Sequence, residues 1–421
     1  MVRKGKNWRQ FEEGDDLHDR FSKMRPREKK SSKSANLEKE FTIDESKWAE
    51  KFPDGFAARV VEVHKRYAFV SLETESGQIK TKDVRLATIA RKFLQAKREE
   101  RNFIVVGDRV LCTMTSEDHA GVVTDLPQCV IQHLSPRKSL IKRLDPHRRE
   151  VEHVLASNVD QLLIVASYVG PTVKWGLIDR YLVLSELQGV RPIIVLNKKD
   201  LLLEEKQTFK DDCQANVNIY KALGYQVISV QANSENAKKN IDIQELKMTL
   251  KGKITMLSGH SGVGKSSLVN LFEPELVQAV EKNEEISYKG RHTTSYASFI
   301  KLGTGGYVID TPGIRSFVLQ ELSFRELTTG FLEFGPWVSR CKYQDCRHLD
   351  EPDCGIQNAV VEGQISERRY QSYRGMLLGT TGREGRVRDA VEDGYDMDQE
   401  MDLDLEVDAV SDSELDGDSE E

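Results

Sequence analysis

The chain has 421 residues, 61 of them Lys or Arg and 68 Asp or Glu, giving a formal net charge of −7 and a pI near 5.9. A length well beyond about 250–300 residues requires more than one core. The mix of 38% apolar and 31% charged residues suits a soluble multidomain chain with unfolded margins. No apolar run reaches the roughly 18–20 residues of a membrane span. The N-terminal MVRKGKNWRQFEEGDD lacks the apolar stretch of a secretory signal and is too acidic for a transit peptide. A cytoplasmic chain with no membrane attachment is expected. An acidic mean would also count against a polyanionic partner, but the charge is unevenly laid out. Residues 391–421 hold fifteen Asp or Glu and no Lys or Arg, whereas residues 1–150 hold 32 Lys or Arg against 24 acids.

In chain order, residues 1–50 read as a basic disordered arm, with 12 Lys or Arg in the first forty and few periodic apolar positions. Residues 51–140 carry short β-rich runs, FAARVVEVH, YAFVSLET, FIVVGDRVLCTM and AGVVTDLP, separated by turn residues. Five or so such strands predict a small barrel, with the OB-fold as first expectation, and RKFLQAKREER reads as a basic helix or loop inserted in it. Residues 150–320 switch to an α/β pattern. VDQLLIVAS and RPIIVLN are continuous apolar runs of the kind buried in parallel sheets, with LIDRYLVLSELQ as a helix between them, and QVISVQ, KITMLSG and YVIDTPG add further strands. Residues 321–380 are helical and cysteine-bearing, and residues 381–421 form an acidic disordered tail.

The strongest motif is Gly259-His260-Ser261-Gly262-Val263-Gly264-Lys265-Ser266-Ser267, placed directly after KITMLS and before the helical SSLVNLF. GxxxxGKS in a strand–loop–helix context is a phosphate loop: successive backbone N–H groups and a helix N-terminus cradle phosphates. Lys265 would reach the β- and γ-phosphates and Ser266 the Mg²⁺ that accompanies them. Asp310-Thr311-Pro312-Gly313 ends the strand GGYVID, where the Asp suits Mg²⁺ through water and the Gly N–H suits the γ-phosphate, although DTPG alone is equally an ordinary turn. Between them, Gly290-Arg291-His292-Thr293-Thr294 offers threonines for the metal in a loop able to order around the γ-phosphate. Asn197-Lys198-Lys199-Asp200 ends PIIVLN. A carboxylate there accepts from guanine N1–H and the 2-amino group together, so the nucleotide is GTP rather than ATP. This base motif precedes the phosphate loop by about sixty residues, the reverse of the order in ordinary small GTPases, so the domain is circularly permuted.

Of six cysteines, Cys341, Cys346 and Cys354 crowd into fourteen residues with His348. Three thiolates and an imidazole at this spacing suit one closed, structural, tetrahedral Zn²⁺ site. Cys112, Cys129 and Cys213 stand apart and read as buried apolar residues.

The permuted order together with GHSGVGKSS, GRHTT, DTPG and C-x4-C-x-H-x5-C resembles the small ribosomal subunit biogenesis GTPases of the RsgA/YjeQ type, over about residues 54–375. That resemblance implies a multidomain protein: an OB-fold β-barrel that meets RNA, an α/β circularly permuted P-loop GTPase domain, and a small α-helical zinc-binding domain. It implies hydrolysis of GTP to GDP, stimulated by the small ribosomal subunit and its rRNA during late maturation, by a protein expected to be a monomer. GTP would be held by Asn197, Lys198, Asp200 and the 259–267 loop, and zinc by Cys341, Cys346, His348 and Cys354. Ile314 stands where many GTPases carry a water-positioning Gln, and His292 is the residue the resemblance suggests for orienting water. Two positions depart from the pattern: the base-supporting loop reads Gln231-Ala232, and the threonine run is cut to Thr293-Thr294-Ser295. The competing readings are a GTP-gated RNA-binding module and a metabolic NTPase.

Overall fold

The computed structural model describes residues 41–64, 66–74, 77–90, 103–115, 126–144, 152–233, 240–272, 298–303, 305–310 and 322–381. Residues 1–40 of the arm, the RKFLQAKREER insert, His292, Thr293, Thr294, Gly313, Ile314 and the acidic tail lie outside them. The arm's last ten residues, 41–50, are not disordered but fold against the barrel, because Phe41, Ile43 and Trp48 bury their apolar side chains there. Among the described residues no helix is long and apolar enough to cross a membrane.

Five strands close the N-terminal barrel: β1 (Phe56–Val63), β2 (Ala68–Glu73), β3 (Ile79–Ile89), β4 (Arg109–Met114) and β5 (Gln128–Leu134), in the order β1-β2-β3-β5-β4. The β3–β5 pair is parallel and the others antiparallel, which is the expected OB-fold. Alternate residues fill its centre, including Ala58, Val60, Val70, Ala87, Val110, Cys112, Cys129 and Ile131, and the Phe41 and Phe103 rings, tilted by 39°, lie 4.5 Å apart in the same cluster. The runs FAARVVEVH, YAFVSLET and FIVVGDRVLCTM contain β1, β2 and β4, whereas most of AGVVTDLP lies outside the described residues. The longest strand, β3, reads IKTKDVRLATI, and its charged first half conceals its alternation.

A two-stranded antiparallel ribbon, β6 (Leu140–Leu144) and β7 (Glu152–Ser157), joins the barrel to the α/β unit. The joint is organised around Asp108, which is fully buried. Its carboxylate accepts from Arg137 Nε at 2.7 Å and Nη2 at 2.8 Å, Ser157 Oγ at 2.6 Å and the Val105 N–H at 2.8 Å. Every lone-pair direction is thus used, as a buried carboxylate requires.

The central sheet has six strands: β8 (Gln161–Ser167), β9 (Arg191–Asn197), β10 (Gln226–Ser229), β11 (Ile254–Ser258), β12 (Ser298–Lys301) and β13 (Tyr307–Asp310). Their order is β10-β9-β8-β11-β13-β12, parallel throughout except for β12 against β13. The chain therefore enters the sheet at its middle, builds the base-motif side outward, and returns to lay down the phosphate side. Helices α1 (Trp175–Gln188), α2 (Lys199–Glu204), α3 (Gln207–Ala222), α4 (Ile241–Leu250) and α5 (Lys265–Phe272) complete the unit. The strands are apolar on both faces because each face has its own core. Ile164, Ile194, Leu196 and Met256 pack with Tyr181 and Leu182 of α1 and Val217 and Tyr220 of α3, while Leu163, Val165, Ile193 and Val195 pack with Leu246 of α4 and Leu268 of α5.

Four C-terminal helices follow: α6 (Phe324–Gly330), α7 (Gly335–Val338), α8 (Gly355–Val361) and α9 (Glu367–Thr381). A capping box starts α6: the Ser323 hydroxyl accepts from the Glu326 N–H, and the Glu326 carboxylate takes the Ser323 N–H. Leu327, Phe331, Phe334, Ile356 and Tyr373 belong to the same core cluster as Tyr181 and Leu182, so this helical module shares a core with the α/β unit. A buried ionic network locks it there. Asp179 of α1 accepts from Arg368 Nη1 at 2.6 Å, Arg369 Nη1 at 2.7 Å and Tyr220 Oη at 2.6 Å. The other nitrogens of Arg369 grip Glu333 at 2.7 and 3.0 Å. Burial pushes the Asp179 carboxyl up, but the two guanidiniums outweigh it and hold the group below the usual carboxylate range.

Candidate functional site

The phosphate loop runs from Gly259 to Gly264, between the end of β11 and the start of α5. Glycine is required at both of its ends. Gly259 has φ +142°, and a Cβ there would sit 2.0 Å from the Val165 carbonyl oxygen on β8; Gly264 has φ +97°, and a Cβ would sit 2.2 Å from Asn197 Nδ2. Lys265, the first residue of α5, folds its ammonium back over the loop and donates to the Gly259 carbonyl at 2.5 Å and the His260 carbonyl at 2.8 Å. Phosphate oxygens arriving over the loop would compete for those donors. Ser266 is exposed and Ser267 half-buried, Val263 is buried beneath the loop, and Ser261 and Gly262 are exposed above it. His260 Nδ1 lies 2.8 Å from the Ser261 carbonyl.

The base motif meets this loop directly. Asn197, 2% exposed at the end of β9, donates from Nδ2 to the Val263 carbonyl at 2.9 Å and accepts at Oδ1 from the Ala232 N–H at 3.1 Å. One side chain thus ties together the phosphate loop, the base motif and the Gln231-Ala232 turn. Because the tie uses the Ala232 backbone, the unusual residue before it does not disturb it. Lys198 adopts a left-handed backbone (φ +59°) and donates from Nζ to the Gly170 carbonyl. Lys199 pairs its ammonium with Asp242 at the start of α4, 2.9 Å away, and its N–H with the Val230 carbonyl. Asp200, half-buried, lies in the first turn of α2.

Asp310 closes β13, and its backbone is in register with Ser298 of β12. Gly313, Thr293, Thr294 and His292 fall outside the described residues. Sequence reasoning placed Asn197 in the nucleotide-holding set but missed its tie to Val263 and Ala232.

In the helical module Cys341, Cys346, His348 and Cys354 offer ligand atoms that all lie within 4.8 Å of one another. His348 Nδ1 is 3.5 Å from both Cys341 Sγ and Cys354 Sγ, and those two sulfurs are 4.0 Å apart. The loop is bent into this shape by left-handed backbones at His348 (φ +63°) and Asp353 (φ +57°). Glu351 accepts from the Arg347 and Leu349 N–H groups, each at 2.8 Å, and Tyr370 Oη donates to the His348 carbonyl at 2.8 Å. Burial raises the Cys346 and Cys354 thiols, and burial lowers His348, which favours the neutral imidazole that ligates. A metal ion would reverse the preference of the thiols.

Residues 134–320 match the family model described as RsgA GTPase. The small ribosomal subunit biogenesis GTPase RsgA 1 of Vibrio parahaemolyticus is 38% identical over 276 residues, covering 65% of this chain and 73% of that protein. The RsgA of Haemophilus influenzae is 36% identical over 280 residues, covering 66% and 76%. Among solved structures, YjeQ from Thermotoga maritima aligns with a TM-score of 0.58 at 33% identity, over 78% of this chain and 99% of that one. YloQ, described as a circularly permuted GTPase, aligns with a TM-score of 0.58 at 26% identity, over 79% and 97%.

Proposed function

Since the chain belongs to the RsgA family of small ribosomal subunit biogenesis GTPases, we propose that it binds the maturing small subunit in the cytoplasm, as a monomer, and hydrolyses GTP when the subunit engages it. The observation that carries this reading is the Asn197 tie, which couples a GKS phosphate loop to a guanine-type NKKD motif through one buried amide. In this reading Asp200 pairs with guanine, Lys198 leaves Gly170 to lie along the base, and Lys265 and the loop amides hold the phosphates. Ser266, Thr293 or Thr294, Asp310 and Gly313 would hold the Mg²⁺ and γ-phosphate. The metal supplies positive charge at the phosphoryl oxygens as charge shifts during transfer. His292 orients the attacking water, since Ile314 replaces the usual Gln.

The metal of the Cys₃His cluster is zinc in this reading. A tetrahedral zinc with two sulfurs at about 2.3 Å and a nitrogen at about 2.0 Å has ligand–ligand edges of about 3.5–3.8 Å. The 3.5, 3.5 and 4.0 Å separations support that fit. All four positions are protein ligands, so the ion is structural: it would pin the 341–354 loop onto itself, while the Tyr370 hydroxyl ties that loop to α9.

Turnover measured with and without purified small subunits, across a salt series, tests the proposal. Subunits should accelerate GTP hydrolysis, the acceleration should fall steeply with salt, and ATP should not substitute. Subunit binding without acceleration would defeat it, and equal use of ATP would defeat the NKKD assignment. His292→Ala should lose the accelerated rate while keeping nucleotide affinity.

A further inference from the structure

Resting on the reading above, we propose that the Tyr307 hydroxyl is a positioning group that couples the barrel to the strands framing the γ-phosphate side of the GTP site. Tyr307 is the first residue of β13, 8% exposed, and its side chain reaches out of the sheet into the barrel. Its Oη accepts from the Ile79 N–H at 2.9 Å and donates to the Ile79 carbonyl at 3.3 Å. Ile79 opens β3, and β5 pairs with β3 only from Leu86 onward. On that edge, at Ile79, the hydroxyl therefore serves where a neighbouring strand would, answering both backbone groups of a residue that is 2% exposed.

Three further contacts give this clasp its direction. The Phe299 ring of β12 lies 5.2 Å from the Tyr307 ring, and β1 rests against β12, so the barrel bears on both strands. The two strands are mutually registered, Lys301 with Tyr307 and Ser298 with Asp310. In sequence they lead straight to Thr293 and Thr294 on one side and Gly313 on the other. The second attachment of the barrel, the Asp108 joint, is to the start of the α/β unit beside β8. A barrel fixed at one point and clasped at another transmits rotation to the clasped strands. Load on the barrel pivots about Asp108 and displaces β13 and β12, while β8 and β9 with the base motif stay in place.

By reciprocity, nucleotide state must be felt at Ile79 even without a ribosome. Hydrogen exchange on the full chain, loaded with GDP or with a non-hydrolysable GTP analogue, should show the peptide containing Ile79 exchanging at different rates in the two states. Tyr307→Phe should erase the difference. Equal rates in the two states of the natural chain would overturn the proposal. In turnover assays Tyr307→Phe should lower the subunit-stimulated kcat about fivefold, with intrinsic turnover and half-saturating subunit concentration unchanged. Ser157→Ala, which weakens the other joint, should lower Tm yet keep the stimulated kcat. Full stimulation in Tyr307→Phe, or equal loss in both variants, would overturn it. If subunits fail to stimulate even the natural chain, the functional reading falls, and the exchange experiment alone decides the role of Tyr307.

Discussion

The two ends of the α/β unit are each sealed by a buried aspartate, and the two seals are built differently. At the barrel joint Asp108 is answered by one arginine, a serine and a backbone amide, all within fifty residues along the chain. At the C-terminal joint Asp179 takes two arginines from 189 and 190 residues away, and one of them, fully buried, is shared with Glu333. The first arrangement orients a connection that the backbone already makes. The second recruits a distant module, and its charges balance only when Arg368, Arg369, Asp179 and Glu333 are all present. A buried network of this kind adds little net stability after desolvation, but removing any one partner leaves an uncompensated buried charge and is costly.

The contrast is open to direct attack. Asp179→Asn leaves two guanidiniums against one carboxylate and should cost about 3–5 kcal/mol in urea unfolding of the α/β unit with its helical module. Asp108→Asn should cost less, about 2 kcal/mol, because one guanidinium loses a charged partner there instead of two; the opposite ranking would break the comparison. Tyr220→Phe removes the hydrogen bond to the Asp179 carboxylate, together with a longer contact to the Trp175 carbonyl, and should cost about 1.5 kcal/mol. The pH dependence sharpens the same point. With the Asp179 carboxyl lowered on folding, its stabilisation is complete above the unfolded carboxylate value of about 4 and is lost as pH falls through the folded value. The stability gap between the natural chain and Asp179→Asn should therefore be constant near neutrality and shrink in acid, as read from urea midpoints at stepped pH.

Much of the molecule can be read from sequence because its chemistry is local. GHSGVGKSS needs its glycines where the loop presses on β8 and Asn197, and NKKD needs its Asn beside that loop. Both motifs stand where their strands end, and the Cys₃His set converges within fourteen residues. What stayed hidden is non-local or masked by charge. The strand β3 carries Lys80, Lys82, Asp83 and Arg85, so its alternation is invisible without partners. Nothing near Asp179 in sequence announces Arg369, and nothing around Tyr307 announces Ile79, 228 residues away. The helical segment after residue 320 reads as a separate domain, and its own sequence does not disclose that Phe331, Phe334 and Tyr373 share a core with α1.

Entry of the chain at the middle of the sheet sets the order in which the protein matures during its own synthesis. Strands β8, β9 and β10 with α1 and α3 are all translated before β11 begins at Ile254. A half-sheet bearing the guanine motif thus precedes the phosphate loop, and the Asn197 amide waits for Val263. Asp179 waits longer still: at roughly 5–20 residues per second, the 190 residues to Arg369 take about 10–40 s. The nascent GTPase is closed at its base side first, at its phosphate side second, and against solvent last.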